Sequence, residues 1–207
     1  MTKRVANRPL ALFEPAQVQG LVGRLRMNWL LARFPPRPVW AVFMFVNGFL
    51  SIAIMSLAAL ATGTSLVFPS LGPTAFLFFF NPEAPSASPR HTIYGHAIGI
   101  LCGWGALWVT GLQHVQWQPG HGVMFARVVA AALALASTGA LMILFKAAHP
   151  PAGATTLIIA LGIIIEPKSL LVIELAVALL TVQAIFINRL AGLDYPLWAR
   201  RVKDPAT

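Results

Sequence analysis

The chain has 207 residues, 57% of them hydrophobic and 10% charged, with 15 lysines and arginines against 6 acids. A mean hydropathy of +0.74 excludes an ordinary soluble domain of this length. The formal net charge of +9 does not imply nucleic acid, because the basic residues gather at the two ends: Lys3, Arg4, Arg8, Arg33 and Arg37 precede the first long apolar run, and Arg189, Arg200, Arg201 and Lys203 follow the last. That placement is the positive-inside bias, and it predicts both termini in the cytoplasm.

Residues 1–37 form a basic cytoplasmic segment, and Val18–Phe34 reads as an amphipathic helix with Leu21, Leu25, Trp29 and Leu30 turned inward. A transmembrane domain follows over 38–188. Val39–Ala61 is its first long span, enough residues to cross about 30 Å of hydrocarbon. Thr64–Phe80 is shorter and is interrupted by Pro69-Ser70-Leu71-Gly72-Pro73-Thr74-Ala75. His91–Leu112 is the second long span, in which Gly95, Gly99 and Gly103 recur every four residues, a spacing that lets another helix approach closely. Its lone Cys102 reads as a packing residue. After the linker Gln113–Gly122, which has no lysine or arginine, come a third long span, Val123–Phe145, a second short element, Ala147–Ile165, and a last long span, Ser169–Ile187. The remainder, 189–207, is a basic cytoplasmic tail too short for a core of its own.

The second short element carries Lys146-Ala147-Ala148-His149-Pro150-Pro151-Ala152-Gly153-Ala154-Thr155-Thr156. No regular helix runs through His149-Pro150-Pro151, since proline lacks the backbone N–H and clashes with the preceding turn. Broken backbone at membrane depth is tolerated only where protein buries it or a polar cavity solvates it. Laid over the first short element, this one places Pro150 on Pro69, Gly153 on Gly72 and Thr155 on Thr74. The chain thus reads as two repeats, about 38–112 and 123–188, each consisting of a long span, a broken short element and a long span.

Corresponding broken segments in two repeats are the sequence mark of a transporter binding site. A helix restarting after Pro151 leaves its first N–H groups without intrahelical partners, and its dipole favours an anion there. Gly72 and Gly153 would admit a ligand to the backbone, while Ser70, Thr74, Thr155 and Thr156 would offer hydroxyls. The competing reading is structural: proline and glycine shape tight turns, and the threonines satisfy their own backbone.

Topology depends on whether the short elements cross. Re-entry gives four spans and parallel repeats, whereas crossing gives six membrane elements and inverted repeats. With the uncharged linker outside, crossing leaves Arg90 and Lys146 inside and only Lys168 outside, so the positive-inside bias favours six. The expected fold is therefore an all-α polytopic membrane protein of six membrane elements, in a bacterial inner membrane.

Ionisable groups at this depth are costly and point to function. His96 and Glu174 occupy near-equivalent positions in the second and last long spans and are candidates for a proton relay or gate; His149 would orient the broken segment or serve as a proton-coupled gate. Asn47, Thr138 and Gln183 read as interhelical hydrogen-bonding residues, and Arg127 and Lys146 as snorkelling toward the interface. No metal-ligand spacing, nucleotide loop or nucleophile elbow is found, so neither an enzyme nor a cofactor is expected.

The segment His149-Pro150-Pro151-Ala152-Gly153-Ala154-Thr155 resembles the signature of the HPP family of integral membrane proteins, and the resemblance extends to Pro69–Ala75, to the link Pro85–Arg90 and to Gly95-His96. It implies a membrane domain over roughly 38–187. Members from plants and cyanobacteria are associated with nitrite transport. Residues and resemblance together lead to a transporter or channel for a small inorganic anion, most plausibly nitrite, with Ser70, Gly72, Thr74, His149, Pro150, Pro151, Gly153, Thr155 and Thr156 lining the site. The alternative is a non-transporting assembly or sensing protein, homo-oligomerisation staying open. A solvated cavity reaching His149 would favour transport, and dry packing around it would favour assembly.

Overall fold

A computed structural model describes residues 26–118 and 124–200, with Gly23 and Gly122. The described residues are helical, without strands: α1 Met27–Leu31, α2 Pro36–Thr62, α3 Leu71–Phe80, α4 Pro89–Val109, α5 Phe125–Leu144, α6 Ala152–Ala160 and α7 Pro167–Leu190, with a 3-10 turn at Pro85–Ala87. Four of them, α2, α4, α5 and α7, are long and apolar enough to cross a membrane. Proline opens α2, α4 and α7, where its fixed φ suits the helix and its missing N–H would have had no helical partner. Gly63 closes α2 in the left-handed conformation at φ 65, which a side chain rarely adopts.

The two short elements are part helix and part irregular backbone. Thr64–Ser70 precedes α3, and Ala147–Pro151 precedes α6, without helical structure. At ten and nine residues these helices span about 15 Å or less, half the hydrocarbon thickness.

Helix packing crosses between the halves of the chain. α4 lies against α5 and α6, α7 lies against α2 and α3, and α4 and α7 touch one another. These two are also the most buried of the long helices, whereas α2 presents Phe45, Phe49, Leu57 and Leu60 outward. The main core joins Phe43 and Met55 of α2, Phe78 and Phe79 of α3, and Ile173, Val177 and Leu180 of α7.

Several polar expectations change in the folded chain. Arg127 does not snorkel: it is buried, donating from Nη2 to the Val115 carbonyl at 2.7 Å and from Nη1 to that of Ala160 at 3.4 Å, so it fastens the α4–α5 linker to the end of α6. Asn47 bonds within its own helix, to the Phe43 carbonyl at 2.8 Å, and Gln183 Oε1 has no partner among the described residues. Thr138 does reach across helices, to Thr156 at 3.0 Å. Of the amphipathic segment, residues 18–22, 24 and 25 lie outside the described part. In α1 it is Met27 that is buried, its N–H donating to the Ala191 carbonyl at 2.8 Å, while Trp29 lies half-buried under the Arg33 guanidinium.

The segment after α7 folds back on the bundle. Tyr195 is buried, stands edge-on to Phe78, and donates its hydroxyl to the Ala87 carbonyl; the Trp198 carbonyl accepts the Arg90 N–H at 2.9 Å. Burial pushes the Tyr195 phenol above its usual range, so it stays a donor at every physiological pH. Tyr195→Phe strands the Ala87 carbonyl in a dry site and is expected to cost about 1–2 kcal/mol, read as a lower thermal midpoint in detergent.

Candidate functional site

The site begins with the glycine row of α4. A Cβ on Gly95 would stand 2.6 Å from the His149 Cβ, one on Gly99 2.7 Å from Thr156 Oγ1 and 3.0 Å from the Ala152 carbonyl, and one on Gly103 2.9 Å from the Thr156 carbonyl. Hydrogen in place of a side chain therefore lets the broken segment and α6 press against the α4 backbone. The helix that the glycine spacing called for is α6.

That contact packs His96 of α4 between the two short elements. Its Nε2 lies 2.9 Å from Thr74 Oγ1 of α3, and its Nδ1 lies 2.8 Å from Thr155 Oγ1 of α6. Thr74 and Thr155 are the pair that the repeat alignment superposes, and one imidazole ring bridges them. His149 completes the cluster, its ring centre 5.0 Å from that of His96 and its Nε2 3.4 Å from Thr74 Oγ1. All four side chains are fully buried.

For neutral rings the hydrogen bonds fix a direction. The Ser86 carbonyl 2.7 Å from His149 Nδ1 can only accept, so Nδ1 carries the proton and Nε2 accepts. Thr92 Oγ1 lies 3.4 Å from the same Nδ1 and donates its own proton to the Ser88 carbonyl at 3.1 Å. With Thr155 donating to His96 Nδ1, His96 Nε2 donates to Thr74, whose single hydroxyl proton goes to the Ser70 carbonyl at 3.1 Å, nearer than His149 Nε2 at 3.4 Å. The result is one hydrogen-bonded cluster joining α6, α4 and α3 through His96, with His149 beside it tied to the carbonyl of Ser86.

Not every expected residue joins it. Ser70 is buried beside the cluster and its carbonyl accepts from Thr74 at 3.1 Å, but its own hydroxyl has no partner among the described residues. Thr156 turns to Thr138 and to the Ala152 carbonyl at 3.1 Å. Gly72 is exposed and a Cβ there would meet nothing within 4 Å, while one on Gly153 would meet only Leu135. Neither glycine faces the histidines. The first N–H groups of α6 are not free for an anion either: Ala152 donates to the His149 carbonyl and Gly153 to that of Pro150, each at 3.0 Å. Tight turning after the prolines consumes the donors that the sequence alone leaves open. Glu174 stands apart, both of its carboxylate oxygens buried without a hydrogen-bond partner among the described residues.

Pro150 and Pro151 instead line an apolar groove of about 400 Å³ with Pro73, Phe76, Leu77 and Ala154, one residue along the chain from Thr74 and Thr155. His149 itself is fully buried and does not line this groove. Among the described residues, no three His, Cys, Asp or Glu side chains are grouped to hold a metal ion. Sequence reasoning passed over Thr92 and the carbonyl of Ser86. Both lie in or beside the Pro85–Arg90 link, whose serines and proline-bounded turn were the available signal.

Four helices long and apolar enough to cross a membrane, with two broken short elements and a buried histidine–threonine cluster between them, mark a helical membrane protein. Residues 34–196 match the family described as the HPP transmembrane region, and the chain belongs to that family. No curated protein and no solved structure matches it in the corresponding comparisons.

Proposed function

We propose that the chain is a transporter or channel for a small inorganic anion, nitrite being the candidate that the family resemblance suggests, held here in an occluded state. The observation that carries this reading is the His96 ring joined to Thr74 and Thr155, one hydroxyl from each broken element. Burying imidazoles and hydroxyls at membrane depth is costly, and apolar residues would hold helices together at less expense. A ring that bridges two short elements is a bolt: parting α3 from α6 breaks one bond and frees polar groups for an anion. His149 then orients the second broken segment, and the neighbouring His96 and His149 rings, 5.0 Å apart, offer groups for coupling a proton to the movement.

The same reading takes the domain as two inverted repeats, α2–α4 and α5–α7, crossing the membrane six times with both termini cytoplasmic. Its support is the packing: exchanging α2 with α5, α3 with α6 and α4 with α7 turns the contacts between these helices into one another. Irregular chain beside α3 and α6 also rises by up to about 3.3 Å per residue, which supplies the length these helices lack.

The test is nitrite uptake into proteoliposomes, with His149→Ala and Thr155→Val alongside and two external pH values. Saturable uptake lost in both variants is the expected outcome, with a pH-dependent rate if the histidines take up a proton. No uptake above empty vesicles by folded protein, with competing anions also tried, overturns the proposal.

A second reading has one observation in its favour. His149 is dry and closely packed, as expected for an assembly or sensing protein that moves nothing. Such a protein would show no flux and would keep its partner contacts when Thr155 becomes valine.

A further inference from the structure

A second feature, polar where the groove is apolar, adjoins Ala148, the residue before His149. A cavity of about 460 Å³ is lined by Arg90, His91, Lys146 and Arg200, together with Ser88, Ala148 and apolar neighbours, and among the described residues no carboxylate lines it. Three cations from three separate parts of the chain thus face one space: the start of α4, the hinge after α5 and the segment after α7.

Their positions are fixed by bonds that leave charge to spare. Arg90 donates from Nη1 to the Lys146 carbonyl at 2.7 Å and from Nη2 to that of Phe145 at 3.2 Å, ending α5, while its backbone N–H holds the Trp198 carbonyl. Those partners are neutral carbonyls, so among the described residues they leave the guanidinium charge uncompensated. Arg200 likewise donates to a carbonyl, that of Asp194 at 3.1 Å. Lys146 itself stands at φ 49, a left-handed conformation unusual for a residue with a side chain. Like charges drawn together repel one another, and a bound anion relieves that repulsion.

We propose that this cavity is an oxyanion site, taking either a free small oxyanion or the phosphate of an anionic lipid headgroup. Arg90 supplies a planar, anchored guanidinium, and Lys146 and Arg200 supply the charges that face it across the cavity. The floor of the site is Ala148, whose carbonyl lies 3.2 Å from His91 Nδ1 and which directly precedes His149. Binding here does not depend on transport.

The test is binding to the full chain in nanodiscs, read as the shift in thermal midpoint with sodium nitrite or sodium phosphate against sodium chloride of equal ionic strength. The nanodiscs are made of phosphatidylcholine with or without phosphatidylglycerol. The variants are Lys146→Gln and Arg200→Gln, which leave the Arg90 cap intact. Stabilisation by nitrite or phosphate in phosphatidylcholine identifies a free oxyanion, and stabilisation by phosphatidylglycerol alone identifies a lipid. Either is expected to weaken about tenfold in the double variant. No stabilisation beyond chloride from any of the three, or stabilisation unchanged in the double variant, overturns the site. Nitrite flux with unchanged binding in that variant would leave the transport proposal standing and remove this one.

Discussion

Gly99→Leu is expected to prevent α6 from seating on α4, with a loss of about 3 kcal/mol or more and a thermal midpoint lower by about 10 °C. The reason is that the neighbours cannot yield. A Cβ at Gly99 would meet Thr156 Oγ1 at 2.7 Å and the Ala152 backbone carbonyl at 3.0 Å, and Thr156 is already committed to Thr138 and Ala152. Relief requires moving the whole first turn of α6, which also carries Thr155 away from His96. Gly105 provides the control within the same helix, since a Cβ there would meet nothing within 4 Å. Gly105→Leu is expected to change stability by less than about 0.5 kcal/mol. Thermal unfolding of both variants in one detergent, with size-exclusion profiles, checks the pair; equal midpoints would remove the close approach as a stabilising feature.

The glycine row shows where sequence reading reaches its limit. Spacing every four residues marks Gly95, Gly99 and Gly103 as a seam, but nothing local says which helix fills it. Long apolar runs are equally local: the four spans and both broken elements lie close to where hydropathy and proline place them. The matched pair Thr74 and Thr155 was legible for the same reason, because a repeat is a property of the sequence itself. Gly72 and Gly153 matched just as well and face elsewhere. A register match identifies equivalent positions along two elements, not the side of the helix that meets the neighbour. The donors at the start of α6 were misjudged on similar grounds, since the turn through Pro150 and Pro151 folds the His149 and Pro150 carbonyls back onto them. Arg127 and Tyr195 escaped because their acceptors, Val115, Ala160 and Ala87, are backbone carbonyls that no residue type announces.

The largest functional effect is expected at the ring that bridges the two broken elements. Thr74→Val and Thr155→Val each remove a hydroxyl while keeping nearly the same shape, so each leaves one nitrogen of His96 unpaired in a dry site. The expected cost is about 1–3 kcal/mol apiece. Replacing all three residues, as Thr74→Val, Thr155→Val and His96→Met together, removes the His96 ring along with both of its hydroxyl partners, so neither of its nitrogens is left orphaned. That variant is expected to be more stable than the sum of the single losses predicts, because the three side chains act as one unit. Flux then separates the two roles open to the cluster. If the hydrogen bonds only hold α3, α4 and α6 together, the apolar triple variant recovers whatever activity the single variants lose. If the ring is the bolt of an anion route, the triple variant folds, keeps its thermal midpoint and carries no nitrite. Thermal unfolding and nitrite uptake measured on the same four preparations decide between these outcomes, and recovered flux in the triple variant would place the route elsewhere in the molecule.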